Sequence, residues 1–267
     1  MKELKDMQME RDTRQIAIDR VGVRGIRFPI IVSDKERRTQ STVATVALMV
    51  DLPEQYKGTH MSRFVEALHE HKRYLDVHTA VRLPNRLLTK LNARRAHVEI
   101  EFPFFRLKKA PVSGKEGMMD YDVRYEIDAE RDRPGRFTLT LRVPVTTLCP
   151  CSKAMSEHSA HNQRGLVTYS VRFAGAAVWI EDLIDLVEGC ASCQLYSLLK
   201  RPDEKFVTDY AYEHPVFVED LVRNIAVATE RYQAFSWYRA EAENFESIHN
   251  HSAYAMVERD LSSPRSN

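Results

Sequence analysis

Strict alternation of apolar and polar residues recurs along this chain. Ala96, Val98, Ile100, Phe102 and Phe104 alternate with His97, Glu99, Glu101 and Pro103; Tyr121, Val123, Tyr125 and Ile127 alternate with Asp122, Arg124, Glu126 and Asp128. A period of two sends one side chain to a core and the next to water, which predicts antiparallel strands covered on one face. Phe137, Leu139, Leu141, Val143 and Val145 repeat the pattern, as do Val167, Tyr169, Val171 and Phe173. Residues 16–50 hold two β-branched apolar segments, and the stretch 57–68 sets Phe64, Val65 and Leu68 on one helical face. Further helical patterns fall at about 78–93, 180–189 and 216–232, and two strand-like segments lie near 235–245 and 252–259. The order is strand pair, helix pair, strand pair, written twice, with Arg-Asp-Arg-Pro-Gly-Arg at 131–136 as the joint. This predicts an α+β chain of two similar halves, each an antiparallel sheet with helices on one face. The expected division is a flexible N-terminus at 1–14, modules at 15–132 and 133–260, and a flexible tail at 261–267.

Charge narrows the function. The 267 residues carry 39 Lys and Arg against 38 Asp and Glu, a net of +1. No nucleic-acid partner is expected, because a bulk polyanion binder needs a basic excess or a one-sided basic stripe. No apolar run approaches the roughly 20 residues of a bilayer span, and the charged start Met-Lys-Glu-Leu-Lys is unlike a secretion signal, so no membrane is expected and a cytoplasmic setting is. The four cysteines, Cys149, Cys151, Cys190 and Cys193, are too few for a disulfide scaffold of this length and point to metal or catalytic use.

The densest polar cluster is Thr-Thr-Leu-Cys-Pro-Cys-Ser-Lys-Ala-Met-Ser-Glu-His-Ser-Ala-His-Asn-Gln-Arg-Gly at 146–165, between two strands. Ordinary hairpin loops run about 2–5 residues, so one this long and rich in Cys, Lys, His and Arg reads as functional. Pro150 stiffens the turn between Cys149 and Cys151, leaving a thiolate available to a metal or an electrophile, although either cysteine could be a small buried hydrophobe. Cys190 and Cys193 form Cys-x-x-Cys; with the first pair they could make a four-thiolate zinc site, or be two small residues at a helix end. Pro215 precedes a helix whose first turn holds Glu219 and Asp220. Capping and the helix dipole account for both acids; a second reading aims Glu219 at the guanidine-like edge of a ligand. Glu246, His249 and His251 lie close together near the chain's end, and imidazole with carboxylate suits a divalent metal.

Three long motifs, Leu-Cys-Pro-Cys-Ser-Lys-Ala-Met-Ser-Glu-His-Ser-Ala-His-Asn-Gln-Arg-Gly, the run from Leu198 to Arg223 containing Arg-Pro-Asp-Glu-Lys, and the closing Phe-Glu-Ser-Ile-His-Asn-His-Ser-Ala-Tyr-Ala, together resemble the type B family of GTP cyclohydrolase I. The similarity extends over residues 12–260. It implies tandem tunnelling-fold modules that assemble into an oligomeric barrel, a homotetramer with active sites at subunit interfaces. It implies conversion of GTP to 7,8-dihydroneopterin triphosphate and formate by opening the purine imidazole ring, with a divalent cation (Mn, Fe or Zn) as cofactor. By the same resemblance Cys149 is an active-site cysteine and metal ligand, and His161 the catalytic histidine that delivers a proton to the opening ring. Glu204, Glu246 and His249 group about the metal, while Glu219 anchors the purine edge. Lys153, Arg164, Lys57, His60 and Arg63 are expected to receive the triphosphate, the last three from a neighbouring subunit. His158, Ser159 and Gly165 stand where the family leads one to expect an aromatic, a glycine and a serine. Two other readings compete: a nitrile reductase-like enzyme of the same fold using a thioimide-forming cysteine, and a zinc-stabilised interaction module.

Overall fold

A computed structural model describes residues 8, 10–71 and 73–262, the side chains of 77 and 78 excepted. The flexible ends expected at 1–14 and 261–267 therefore lie partly outside the described residues. The chain forms two compact units, residues 1–102 with 124–138 and residues 103–123 with 139–267.

In the first unit β1 (Ile18–Asp34) and β2 (Arg38–Leu52) form a long antiparallel pair. The short β3 (Tyr74–Leu75) runs parallel to β1, and the unit's parts of β4 (Arg95–Lys109) and β5 (Glu116–Glu130) continue the sheet in the order β3-β1-β2-β4-β5. Three helices, α1 (Met61–His69), α2 (Val77–Ala80) and α3 (Arg82–Lys90), join the two strand pairs. Their apolar faces supply Phe64, Ala67, Leu68, Leu83 and Leu87 to a core shared with Val46, Leu48 and Val50 of β2. Val65, expected on the buried face of α1, is 37% exposed; with about 100° between successive helical residues it lies one step past the stripe that Phe64 and Leu68 define.

In the second unit the order is β10-β9-β7-β6-β5-β4, with β6 (Arg136–Leu148) belonging to it from Leu139 onward and β7 (Asn162–Phe173), β9 (Phe235–Phe245) and β10 (Ser252–Asp260) wholly. The two-residue β8 (Cys193–Gln194) pairs with β6 near its end. Helices α4 (Pro150–Met155), α5 (Ile180–Glu188), α6 (Arg201–Glu213) and α7 (Val218–Arg231) complete it. Leu183, Ile184 and Val187 of α5 and Leu221 and Ile225 of α7 are buried with Val143, Val167, Tyr169 and Ala240 of the strands. The doubled element order of the sequence is observed, and the chain is α+β. Helix α6 is an addition: it buries only Asp203 and Ala211, so it has no apolar stripe for a sequence reading to find. What anchors it is Asp203, whose carboxylate accepts hydrogen bonds from the Val112, Ser113 and Lys200 amides and the Ser113 hydroxyl. Burial alone would raise that carboxyl's pKa, but these four donors hold it well below the usual range. Among the described residues no helix is long and apolar enough to cross a membrane.

Candidate active site

Strand β6 ends at Leu148, whose backbone is held twice: its amide donates to the fully buried Ser192 hydroxyl at 3.0 Å, and its carbonyl accepts from the Val216 amide at 3.0 Å. Those two bonds bring the β8 turn and the approach to α7 to the same spot. Cys149 follows, its amide bonded to the His161 carbonyl at 3.1 Å, so the two ends of the long connection meet. Cys149 caps α4, its sulfur accepting from the Ser152 amide at 3.4 Å, with Pro150 in the first turn where no donor is needed. The Ser152 hydroxyl accepts from the His161 amide at 3.1 Å and closes the loop.

The His161 ring is oriented by Gln163. Gln163 gives its amino end to the buried Thr147 hydroxyl at 3.1 Å and its carbonyl to His161 Nδ1 at 3.0 Å. Nδ1 therefore carries the proton of that bond and Nε2 is the nitrogen left for chemistry. Glu246 stands 3.9 Å from the same Nδ1 with its side chain 13% exposed. Past it, the His249 and His251 rings stack at 5.2 Å between centroids. Cys149, His161, Glu246, His249 and His251 all line one cavity of about 310 Å³ in the second unit, and Glu219 faces it from the first turn of α7. Thiol, imidazole and carboxylate side chains of the types that bind divalent metals thus line the same cavity as the Glu219 carboxylate, though no three of their ligand atoms lie within 4.8 Å of one another as they stand.

Four of the expected metal and anchor residues thus come together with His161. Others do not. Glu204 is exposed on the first turn of α6 and is absent from the cavity wall. Lys153 bonds the Tyr212 carbonyl and lies 4.3 Å above the Tyr212 ring. Arg164 is exposed beside the buried, cavity-lining Gln163; consecutive strand residues point to opposite faces. Lys57, paired with Glu10 at 3.0 Å, belongs to the first unit, as do His60 and Arg63. Among the described residues lining the cavity there is no Lys or Arg. Gln163 and Asn244 are cavity residues that the sequence reading passed over; the period of two, carried one step past Ala242 in β9 and two steps back from Val167 in β7, was the available signal.

The other cysteines are committed elsewhere. Cys190 bonds the Leu186 carbonyl at 3.1 Å and burial pushes its thiol up to about 11, while Cys193 is buried beside β6 and also raised by burial. Among the described residues the one group of metal-ligating types within 4.8 Å of one another is His97, Glu99 and Glu126 of the first unit. Arg124 already serves it, 3.7 Å from Glu99 and 3.3 Å from Glu126, and His97 bridges Asp128 at 2.7 Å and Glu99 at 2.9 Å. Burial opposes ionisation of Glu99, yet His97 and Arg124 hold it below the ordinary carboxylate range. A cation there would have to displace a guanidinium, so the cluster reads as an ion-pair network.

The family described as type I GTP cyclohydrolase folE2 matches residues 4–255. The chain belongs to that family. Relatives named GTP cyclohydrolase FolE2 include one from Akkermansia muciniphila, 71% identical over 264 residues covering 98% of this chain and 100% of the relative. One from Magnetococcus marinus is 51% identical over 255 residues, 96% of each chain. Among solved structures, uricase from Arthrobacter globiformis superposes with a TM-score of 0.56 at 7% identity, covering 93% of this chain and 96% of that one. Urate oxidase from Bacillus subtilis 168 gives 0.55 at 8% identity over 91% and 99%. At such identities the likeness is one of fold. The family's three long motifs fall, respectively, on the loop that carries Cys149 and His161, on α6 and the start of α7, and on the end of β9 with the turn into β10.

Proposed function

We propose that this chain hydrolyses GTP to 7,8-dihydroneopterin triphosphate and formate, opening the purine imidazole ring in the first step of pterin and tetrahydrofolate biosynthesis. The observation that carries the reading is the single cavity that gathers Cys149, His161, Glu219, Glu246 and His249 in a member of this family. The donor set fits the divalent metal the family implies: sulfur, imidazole and carboxylate together suit a first-row ion such as Mn, Fe or Zn. Cys149, Glu246 and His249 would hold it, with Glu204 as a further ligand. Bound there, such an ion supplies Lewis acidity and lowers the pKa of water.

The protein's own groups do the rest. Glu219 accepts hydrogen bonds from guanine N1–H and the 2-amino group and so fixes which carbon faces Cys149. His161, its Nδ1 held by Gln163, presents Nε2 to the ring nitrogen beside C8; as the imidazolium, with both ring nitrogens protonated, it delivers the Nε2 proton there as the ring opens, and the neutral ring left behind takes a proton back later; such transfer is worth about 10²–10⁴ in rate. The triphosphate needs cations that the cavity wall lacks. We therefore assign the triphosphate to Lys153 and Arg164, neither of which lines the cavity within this chain, with Lys57, His60 and Arg63 from a neighbouring subunit, in a homotetrameric barrel of tandem tunnelling-fold modules, 15–132 and 133–260. Its sites lie at subunit interfaces, where an exposed Glu204 also finds its place. The proposed setting is the cytoplasm, where the thiols stay reduced.

The test is incubation of the protein with GTP and added Mn²⁺, Fe²⁺ or Zn²⁺, reading formate and, after oxidation, pterin fluorescence. Both products are expected, and chelation abolishes them. A folded, metal-supplied protein that leaves GTP intact would overturn the assignment; activity that persists under chelation and requires a nicotinamide cofactor would replace it with the nitrile reductase-like reading.

A further inference from the structure

Along β9 the residues facing the helices are Ala240, Ala242 and then Asn244, all buried, with Glu246 next at the cavity rim. A carboxamide after two alanines calls for a partner, because a buried polar group without a hydrogen bond costs folding free energy. Asn244 has none: it is 3% exposed, it lines the cavity, and its Oδ1 makes no hydrogen bond among the described residues. Gly165, directly opposite on β7, makes the room. A Cβ on Gly165 would come within 2.7 Å of Asn244 Oδ1, so the absence of a side chain at 165 is what lets the carboxamide lie where it does.

We propose that Asn244 is a specificity residue for the base, its amino end donating a hydrogen bond to the guanine carbonyl O6. This rests on the functional reading above and deepens it. With Oδ1 lodged against Gly165, the amino end is the part of the side chain left for the cavity. The guanine edge has three groups in a row: the 2-amino and N1–H donors, which Glu219 takes, and the O6 acceptor beside them, which a carboxylate can only repel. A neutral donor is required next to Glu219. Gln163 is unavailable, its amino end being given to Thr147, and the wall holds no Lys or Arg. Asn244 is the uncommitted carboxamide.

The experiment compares GTP with 6-thio-GTP, which keeps N1–H and the 2-amino group but replaces O6 by sulfur, a weak acceptor. Formate release is measured for the metal-supplied protein, for Asn244→Ala and for Gly165→Ala, which keeps Asn244 but pushes its short side chain aside. The unmodified protein is expected to prefer GTP by about 10-fold in kcat/KM, and both variants to lose that preference by slowing on GTP alone. Asn244→Ala should melt no lower than the unmodified protein, since it removes an unpaired group. Variants that keep the full preference, or that slow equally on both substrates, would overturn the proposal, as would a marked fall in the melting temperature of Asn244→Ala. If the unmodified protein acts on neither nucleotide, the functional reading itself falls and takes this inference with it.

Discussion

Lys108 and Glu188 form an ion pair inside the second unit, 7% and 5% exposed, with Lys108 Nζ 2.9 Å from both carboxylate oxygens. The Tyr121 hydroxyl donates to the same carboxylate at 2.8 Å, and Lys108 lies 4.7 Å above the Tyr196 ring. At 2.9 Å and an effective dielectric of about 20, the gross attraction is about 6 kcal/mol. Desolvation offsets most of it: burial draws the Lys108 pKa down even though Glu188 pulls it up, so the pair adds little net stability. Breaking it is another matter. Lys108→Met leaves a buried carboxylate with one hydroxyl donor and should cost about 3–5 kcal/mol, or roughly 10 °C in Tm at about 2–4 °C per kcal/mol. Replacing the whole set, Lys108→Met with Glu188→Leu and Tyr121→Phe, should recover most of the loss. Urea denaturation of the three proteins, followed by tryptophan fluorescence and far-UV circular dichroism, measures both quantities. A single variant within about 1 kcal/mol of the parent, or a triple variant as unstable as the single, would refute the reasoning. The pair matters to the site because Glu188 closes α5 just before the turn that carries Ser192, the residue holding Leu148 beside Cys149.

Three further outcomes are expected. Cys149→Ala should abolish formate release and weaken metal retention, measured by elemental analysis, whereas Cys190→Ala and Cys193→Ala should retain metal; equal losses from all would restore a zinc cluster. Glu219→Ala should raise KM for GTP strongly with only a few degrees' change in Tm, and the unmodified protein should use ITP, which lacks the 2-amino group, poorly; normal GTP kinetics would return Glu219 to a helix-dipole role worth about 0.3–1 kcal/mol. The Asp128 hydrogen bond, against the effect of burial, raises the His97 pKa above the ordinary 6.5, so its contribution to stability is whole below that value and is lost as pH rises through the raised one. The urea midpoint should therefore fall between pH 6 and pH 9, by more in the parent than in His97→Gln, and equal falls would remove His97 from the account.

Much of the fold was legible because strands of a one-sided sheet write themselves in residues that alternate. Tyr121 to Ile127 and Phe137 to Val145 needed no tertiary information to be read as strands, and the long connection stood out because its middle does not alternate; the structure narrows it from 146–165 to 149–161, since β6 runs on to Leu148 and β7 starts at Asn162. Helix α6 was illegible for the opposite reason: its anchor is one buried aspartate reaching Val112 and Ser113, contacts about ninety residues away in sequence. Val65 went astray on a single step of helical phase.

What the sequence by itself determined is the periodicity and its breaks, hence the doubled order of strands and helices, the faces they bury and the motifs that name the family. Only the tertiary structure decided which of the motif residues share a cavity. Strand order put the end of β6, the start of α7 and the turn after β9 at one place, so that Cys149, Glu219 and His249 meet while Glu204 stays outside on α6. It also set Gly165 opposite Asn244. Periodicity is a property of neighbours along the chain, and one strand suffices to show it. A cavity is a property of register between strands, and register is settled by packing that no local segment contains.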